Sequence, residues 1–159
     1  MSFDFNADEI FEIAEQIERN GAKFYRNAAK KLRDDDKKDL LLHLAEMEDE
    51  HEATFKIMRK HLSDDEKTMT RFDPEDETSS YLRALADTRI FYEKNIDITS
   101  FKEILKSAIN AEKDSIVFYL GIKDAVPESF GKNKLDKIIK EEMGHISLLS
   151  KELLNYDTD

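Results

Sequence analysis

Residues 44–51 read Leu44-Ala-Glu-Met-Glu48-Asp-Glu-His51, and residues 138–145 read Ile138-Ile-Lys-Glu-Glu142-Met-Gly-His145. In both, a glutamate and a histidine three residues apart stand inside a row of apolar side chains. Leu41, Leu44, Glu48, His51, Phe55, Met58 and Leu62 advance in steps of three and four, as do Leu135, Ile138, Glu142, His145, Leu149 and Leu153. Steps of that size lay a row along one face of an α-helix, so both polar pairs belong to the face that enters the core. Two more rows have the same form. Phe11, Ala14, Glu18, Gly21, Tyr25, Ala28 and Leu32 make one, and Leu105, Ala108, Glu112, Ser115, Tyr119 and Ile122 the other.

The four rows are two copies of one pattern. Glu18, Tyr25, Glu48 and His51 recur 94 residues later as Glu112, Tyr119, Glu142 and His145. A strict offset that keeps polar residues in register points to a repeated helical hairpin, each copy delivering two carboxylates and one imidazole to a common place. A buried carboxylate without a counter-charge costs several kcal/mol or more, and no lysine or arginine stands in these rows at those levels. Four carboxylates and two imidazoles are a ligand set for two metal ions; the competing reading is a hydrogen-bonded structural layer. A Glu and a His three apart on a helix are neighbours at roughly 5–6 Å, close enough to hold one ion, or to bridge one and terminate another. Gly21 and Ser115 are small where such a cavity needs room. Tyr25 and Tyr119 read either as core tyrosines with satisfied hydroxyls or as donors to a carboxylate of the opposite hairpin. His43 and His61 fall off the rows and are expected in solvent. Glu12, Glu15, Glu46, Glu50, Glu52 and Glu141 read as exposed helix acids.

The fold class predicted is all-α, since glycine and proline number only 4 and 2 and helical periods dominate. Helices are expected at 7–33, 37–61, 101–126 and 132–154. Asn6 with Glu9, and Ser100 with Glu103, have the spacing of capping boxes. Asp34-Asp35-Asp36 is expected to turn the first helix into the second, and Pro127 with Gly131 to separate the third from the fourth. The connection from His61 to Ser100 is read as an acidic loop through Pro74 followed by a short amphipathic helix near 81–91. Short links within pairs and a long link between them describe two antiparallel hairpins joined by a crossover, the topology of a ferritin-like four-helix bundle.

At 159 residues the chain suits a single domain, 1–159, with a real core. The sequence contains no cysteine, which removes disulfides, thiolate metal sites, iron-sulfur clusters and cysteine nucleophiles and leaves oxygen and nitrogen as metal ligands. No signal-peptide pattern and no apolar run of about 18–20 residues is present, so a soluble, cytoplasmic protein without membrane contact is expected. A net charge of −11, with basic residues scattered rather than striped, argues against nucleic acid as a partner. The same excess suits a cation binder and equally an ordinary acidic protein.

Glu18-Arg-Asn-Gly-Ala-Lys-Phe-Tyr25 and the Glu48-x-x-His51 stretch resemble the first two helices of rubrerythrins, members of the ferritin-like di-iron carboxylate family; Glu112 to Tyr119 and Glu142 to His145 resemble the last two. The likeness covers nearly the whole chain. It implies that Glu18 and Glu112 are terminal carboxylates, that Glu48 and Glu142 bridge two irons, and that His51 and His145 each cap one. Manganese or zinc are other ions such ligands accept. The resemblance further implies an oxidoreductase of oxidative-stress chemistry that reduces hydrogen peroxide or dioxygen. Rubrerythrins usually add a rubredoxin-like domain with four cysteines; its electrons would here come from an external donor, such as a rubredoxin-type or flavin protein. Rubrerythrins also carry a further glutamate three residues after the third-helix ligand, where this chain has Ser115, so one element of their peroxidase mechanism is missing. No separate catalytic acid or base is identifiable beyond the metal ligands. A homodimer is compatible with the reading. Two other functions use the same residues: a protein that binds or oxidises ferrous iron without a dedicated organic substrate, and a redox-silent bundle stabilised by its metal.

Overall fold

A computed structural model of the protein describes residues 7–62, 84, 100–125 and 131–158. Its four long helices are α1 (Ala7–Ala29), α2 (Asp35–Lys60), α3 (Phe101–Ala125) and α4 (Lys132–Thr158), and no strand occurs among the described residues. The Asn6 cap, the connection through Pro74, the short helix expected near 81–91 apart from Ala84, and Pro127 lie outside them.

The helix ends follow local chemistry, and three differ from expectation by two residues or more, one of them the end of α4, which runs to Thr158 rather than 154. α1 stops at Ala29 rather than 33: Lys31 N donates to Ala28 O at 3.1 Å and Leu32 N to Ala29 O at 3.2 Å, which tightens the last turn into a three-residue repeat. α2 starts at Asp35, inside the aspartate run that was expected to be a loop. Asp34 is extended (φ −76°, ψ 120°) and its side chain accepts from Lys37 N at 3.1 Å, so it is the N-cap. Asp35 and Asp36 then occupy the first turn, where free amides favour negative charge. Ser100 caps α3 as expected, accepting from Glu103 N at its Oγ (3.4 Å) and from Ile104 N at its carbonyl (3.0 Å). Gly131, at φ +81°, opens α4 by accepting from Lys134 N (2.9 Å) and Leu135 N (3.1 Å), a backbone conformation that glycine adopts without strain.

Ion pairs show how the helices run. Arg59 meets Asp8 (2.9 Å) and Glu15 (2.8 Å), Arg19 meets Glu52 (3.4 Å), and Arg26 meets Asp49, so α1 and α2 are antiparallel. Lys123 pairs with Asp136 across the α3–α4 hairpin. Between hairpins, Tyr25 reaches Glu112 while Tyr119 reaches Glu18, which makes α1 antiparallel to α3. Lys37, in the first turn of α2, sits 4.9 Å from the Phe101 ring centre at the start of α3. The termini joined by residues 63–99 therefore lie at opposite ends of the bundle, as the crossover topology requires.

Two apolar clusters fill the interior, one at each end. Phe11, Phe55, Phe118, Tyr119, Ile122 and Leu135 belong to the first, and Tyr25, Leu41, Leu44, Ile104, Leu105 and Leu149 to the second. The helix rows read from the sequence are the buried faces, with only Leu32 and Leu153 partly exposed among their apolar members. Three acids read as exposed depart from their expected place: Glu52 is partly buried beside Arg19, Glu141 is partly buried beside His51, and Glu15 is buried most of all. Glu15 is 4% exposed and bound by Arg59, which reaches it from the antiparallel α2.

Candidate metal centre

Between the two apolar clusters lies a polar layer. Glu18 from α1, Glu48 and His51 from α2, Glu112 from α3, and Glu142 and His145 from α4 are all buried, none more than 6% exposed. Glu18, Glu48, His51 and Glu142 each offer a ligand atom within 4.8 Å of the others, and Glu48, Glu112, Glu142 and His145 form a second such group. The two groups share Glu48 and Glu142, one from each hairpin. Sharing of those two carboxylates is the arrangement by which a pair of ions is bridged, with Glu18/His51 on one side and Glu112/His145 on the other. The imidazole rings face one another at 5.8 Å, 21° from parallel.

Whether these residues fit a metal pair is tested by their polar atoms. Glu18 Oε2, both oxygens of Glu48, Glu112 Oε2, Glu142 Oε2 and both ring nitrogens of His145 are buried without a hydrogen-bond partner among the described residues. His145 Nδ1 approaches Glu142 Oε2 to 3.0 Å, but at an angle that makes no hydrogen bond. Buried polar atoms are nearly always satisfied, so such a concentration in one layer is what a cation-binding site shows. Oxygen and imidazole donors suit iron, manganese and zinc.

Electrostatics divides the four acids into two kinds. Burial pushes the Glu48 and Glu142 carboxyls well above the usual carboxylate range, and the charges of Glu18 and Glu112 push them further. Burial also acts to raise Glu18 and Glu112, but it is outweighed. The adjacent Glu48 carboxyl and the His51 ring hold Glu18 low, while Glu142 and His145 hold Glu112 down at about 2. Burial disfavours a charged His51, yet Glu18 and Glu141 outweigh it and raise its pKa. Burial and the neighbouring charges thus favour the protonated form of the two shared glutamates, and a cation bound there would compete with those protons.

Both tyrosines reach the layer from the opposite hairpin. Tyr25 donates its hydroxyl to Glu112 Oε1 at 2.6 Å, and Tyr119 donates to Glu18 Oε1. Burial, followed by the nearby carboxylates, raises both hydroxyls well above 10, so they remain donors. Each therefore satisfies one oxygen of Glu112 or Glu18 and leaves the other without a hydrogen-bond partner in the layer. Ser115, three residues beyond Glu112, is spent on its own helix, donating to Ala111 O at 2.9 Å.

Sequence reading missed one contributor. Glu141, expected among the exposed acids, places Oε2 2.6 Å from His51 Nε2, with its side chain 32% exposed. Its adjacency to Glu142 was visible, but the direction of its side chain was not. Beside it, between α2 and α4, lies a cleft of about 250 Å³ whose lining includes His51, Glu50, Thr54, Ile57, Lys137 and Glu141. His43 and His61 are exposed as expected, and so are Glu12, Glu46 and Glu50.

The family model for rubrerythrin matches residues 9–153. A crystal structure from Thermotoga maritima, of a candidate ferritin-like diiron-carboxylate protein, superposes with a TM-score of 0.70 at 26% sequence identity, covering 96% of this chain and 97% of that one. A comparison with curated protein sequences gives no match.

Proposed function

Because the chain belongs to the rubrerythrin family, we propose that it is a di-iron oxidoreductase that reduces hydrogen peroxide or dioxygen with electrons from an external donor. The observation that carries this reading is the pair of four-residue groups sharing Glu48 and Glu142 in a buried layer of unsatisfied oxygens and nitrogens. Glu18 and His51 would hold one iron, Glu112 and His145 the other, and the shared glutamates would hold both. When bound, the iron pair supplies two reducing equivalents and Lewis acidity to an O–O bond, and peroxide with two electrons and two protons gives two waters.

The chain's own residues set the conditions for that chemistry. The apolar clusters on either side of the layer exclude water and strengthen its electrostatics. Tyr25 and Tyr119 fix the terminal carboxylates and keep their protons across the neutral range. His51, at the cleft between α2 and α4, is where a small oxidant would approach from solvent. No helix among the described residues is long and apolar enough to cross a membrane.

A second reading has one observation in its favour. Ser115 stands where the resemblance to rubrerythrins leads one to expect a further glutamate, and its hydroxyl is bound to the helix backbone, so no fifth carboxylate comes from that position. That suits a protein that oxidises or buffers ferrous iron. Anaerobic loading with ferrous iron, followed by stopped-flow mixing with peroxide or with dioxygen, tests both. Fast oxo-ferric absorption with peroxide supports the peroxidase, preferential reaction with dioxygen supports iron oxidation, and silence to both overturns the redox reading.

A further inference from the structure

The ligands repeat, but their outer partners do not. The tyrosine bonds obey the repeat, Tyr25 to Glu112 and Tyr119 to Glu18. The imidazoles break it. His51 Nε2 lies 2.6 Å from Glu141 Oε2, whereas neither ring nitrogen of His145 has a hydrogen-bond partner among the described residues. The 94-residue register supplies the cause: the position corresponding to Glu141 in the first copy is Met47, whose thioether is a poor acceptor.

We propose that Glu141 is a positioning residue that makes the two metal positions unequal, so that the Glu18/His51 position binds a divalent cation more tightly and fills before the Glu112/His145 position. This rests on the dinuclear reading above. When His51 Nε2–H donates to Glu141, the lone pair of Nδ1 is left facing Glu142 Oε1 at 3.0 Å and Glu18 Oε2 at 3.5 Å, where a cation belongs. The ring's tautomer and direction are set before metal arrives, and a carboxylate behind an imidazole raises its strength as a ligand. His145 must settle both on binding. Loss of such an outer partner typically costs 10- to 100-fold in metal affinity. Because Glu141 is 32% exposed, solvent screening places the expected effect near the lower end, about tenfold.

The test is titration of the metal-free full-length chain with cobalt(II) and with zinc, followed by ligand-field absorption and calorimetry. Two binding steps separated by about tenfold or more are expected. Glu141→Ala should weaken the tighter step by about tenfold and leave the other, while Glu141→Gln, whose carbonyl still accepts, should recover part of the loss. Met47→Glu should tighten the weaker step by giving His145 the partner it lacks. Imidazole ¹⁵N spectra of protein holding one zinc should show His51 protonated at Nε2, a readout that a merely structural role would not move. Two ions bound with one affinity, or an equal weakening of both steps by a folded Glu141→Ala protein, overturns the inference while leaving the dinuclear site intact. Fewer than two ions at saturation overturns both.

Discussion

Tyr25→Phe removes one oxygen and changes almost nothing else, which makes it a sharp probe of the layer. The ring stays in its cluster and no cavity opens, but Glu112 Oε1 loses a donor at 2.6 Å in a place where both residues are 0% exposed. Water cannot replace the bond. A buried hydrogen bond to a charged group is worth about 1.5–3 kcal/mol. For a chain of this size each kcal/mol moves the melting temperature by about 2–4 °C, so the metal-free variant should melt roughly 3–12 °C lower. The loss should be flat between about pH 6 and 9. Tyr25 stays protonated because its hydroxyl is raised well above 10, and Glu112 stays ionised because its pKa is held at about 2. A carboxylate held below its unfolded value of 4.5 contributes stability that is present above that value and lost as pH falls toward 2, so the penalty should shrink only in acid. Thermal and urea melts of wild type, Tyr25→Phe, Tyr119→Phe and the exposed control Tyr156→Phe measure it. Each buried variant should lose a similar amount, and the double variant should depart from additivity because both bonds end in one coupled layer. If Tyr25→Phe melts within a degree of wild type, like Tyr156→Phe, the hydroxyl is not holding the carboxylate and the reasoning fails.

The shared glutamates should be indispensable to a metal pair: Glu48→Ala or Glu142→Ala should reduce bound metal from about two ions per chain to one or none, whereas Glu50→Ala should not, and metal analysis after saturation decides it. Metal and pH should act together. Glu48 and Glu142, raised in the folded state, contribute stability below the usual carboxylate range that is lost as pH rises through their folded values, and His51 loses its share above 6.5, so the metal-free protein should melt lower at pH 8 than at pH 5.5. Saturating metal at 100 to 1,000 times its dissociation constant adds about 3–4 kcal/mol, so the gap between loaded and metal-free melts should widen with pH; an unchanged gap would count against convergence on a cation. Arg59→Ala should cost up to about 3 kcal/mol by leaving Glu15 buried without its counter-charge, read from urea unfolding, and Glu15→Gln in that background should restore part of it.

Much of the site was legible because helix periodicity is a local property. Steps of three and four placed Glu18, Glu48, Glu112 and Glu142 on buried faces, and the 94-residue offset put two hairpins in register before any contact was known. The helix ends were read less well. The aspartate run is both turn and helix start, and only the extended Asp34 backbone with its bond to Lys37 N shows where one becomes the other.

The sequence by itself determined which residues face inward and that each hairpin carries two acids and an imidazole, while for Tyr25 and Tyr119 it left open a satisfied core hydroxyl or a bond to an opposing carboxylate, and the structure shows the bond. The first two follow from angular position about a helix axis, which spacing alone specifies. Tertiary structure decided what the flanks of the helices do. Glu141 is one residue from Glu142, turned by about 100° around α4, and the same spacing would place it in solvent or against a neighbour according to how α4 lies on α2. The packing of those helices puts it on His51. Glu15 is likewise an acid off the ligand row that became buried because Arg59 approaches it from an antiparallel partner. Position on a helix is written in one segment, but the surface that meets it is written in another, and only the crossing of the two joins them.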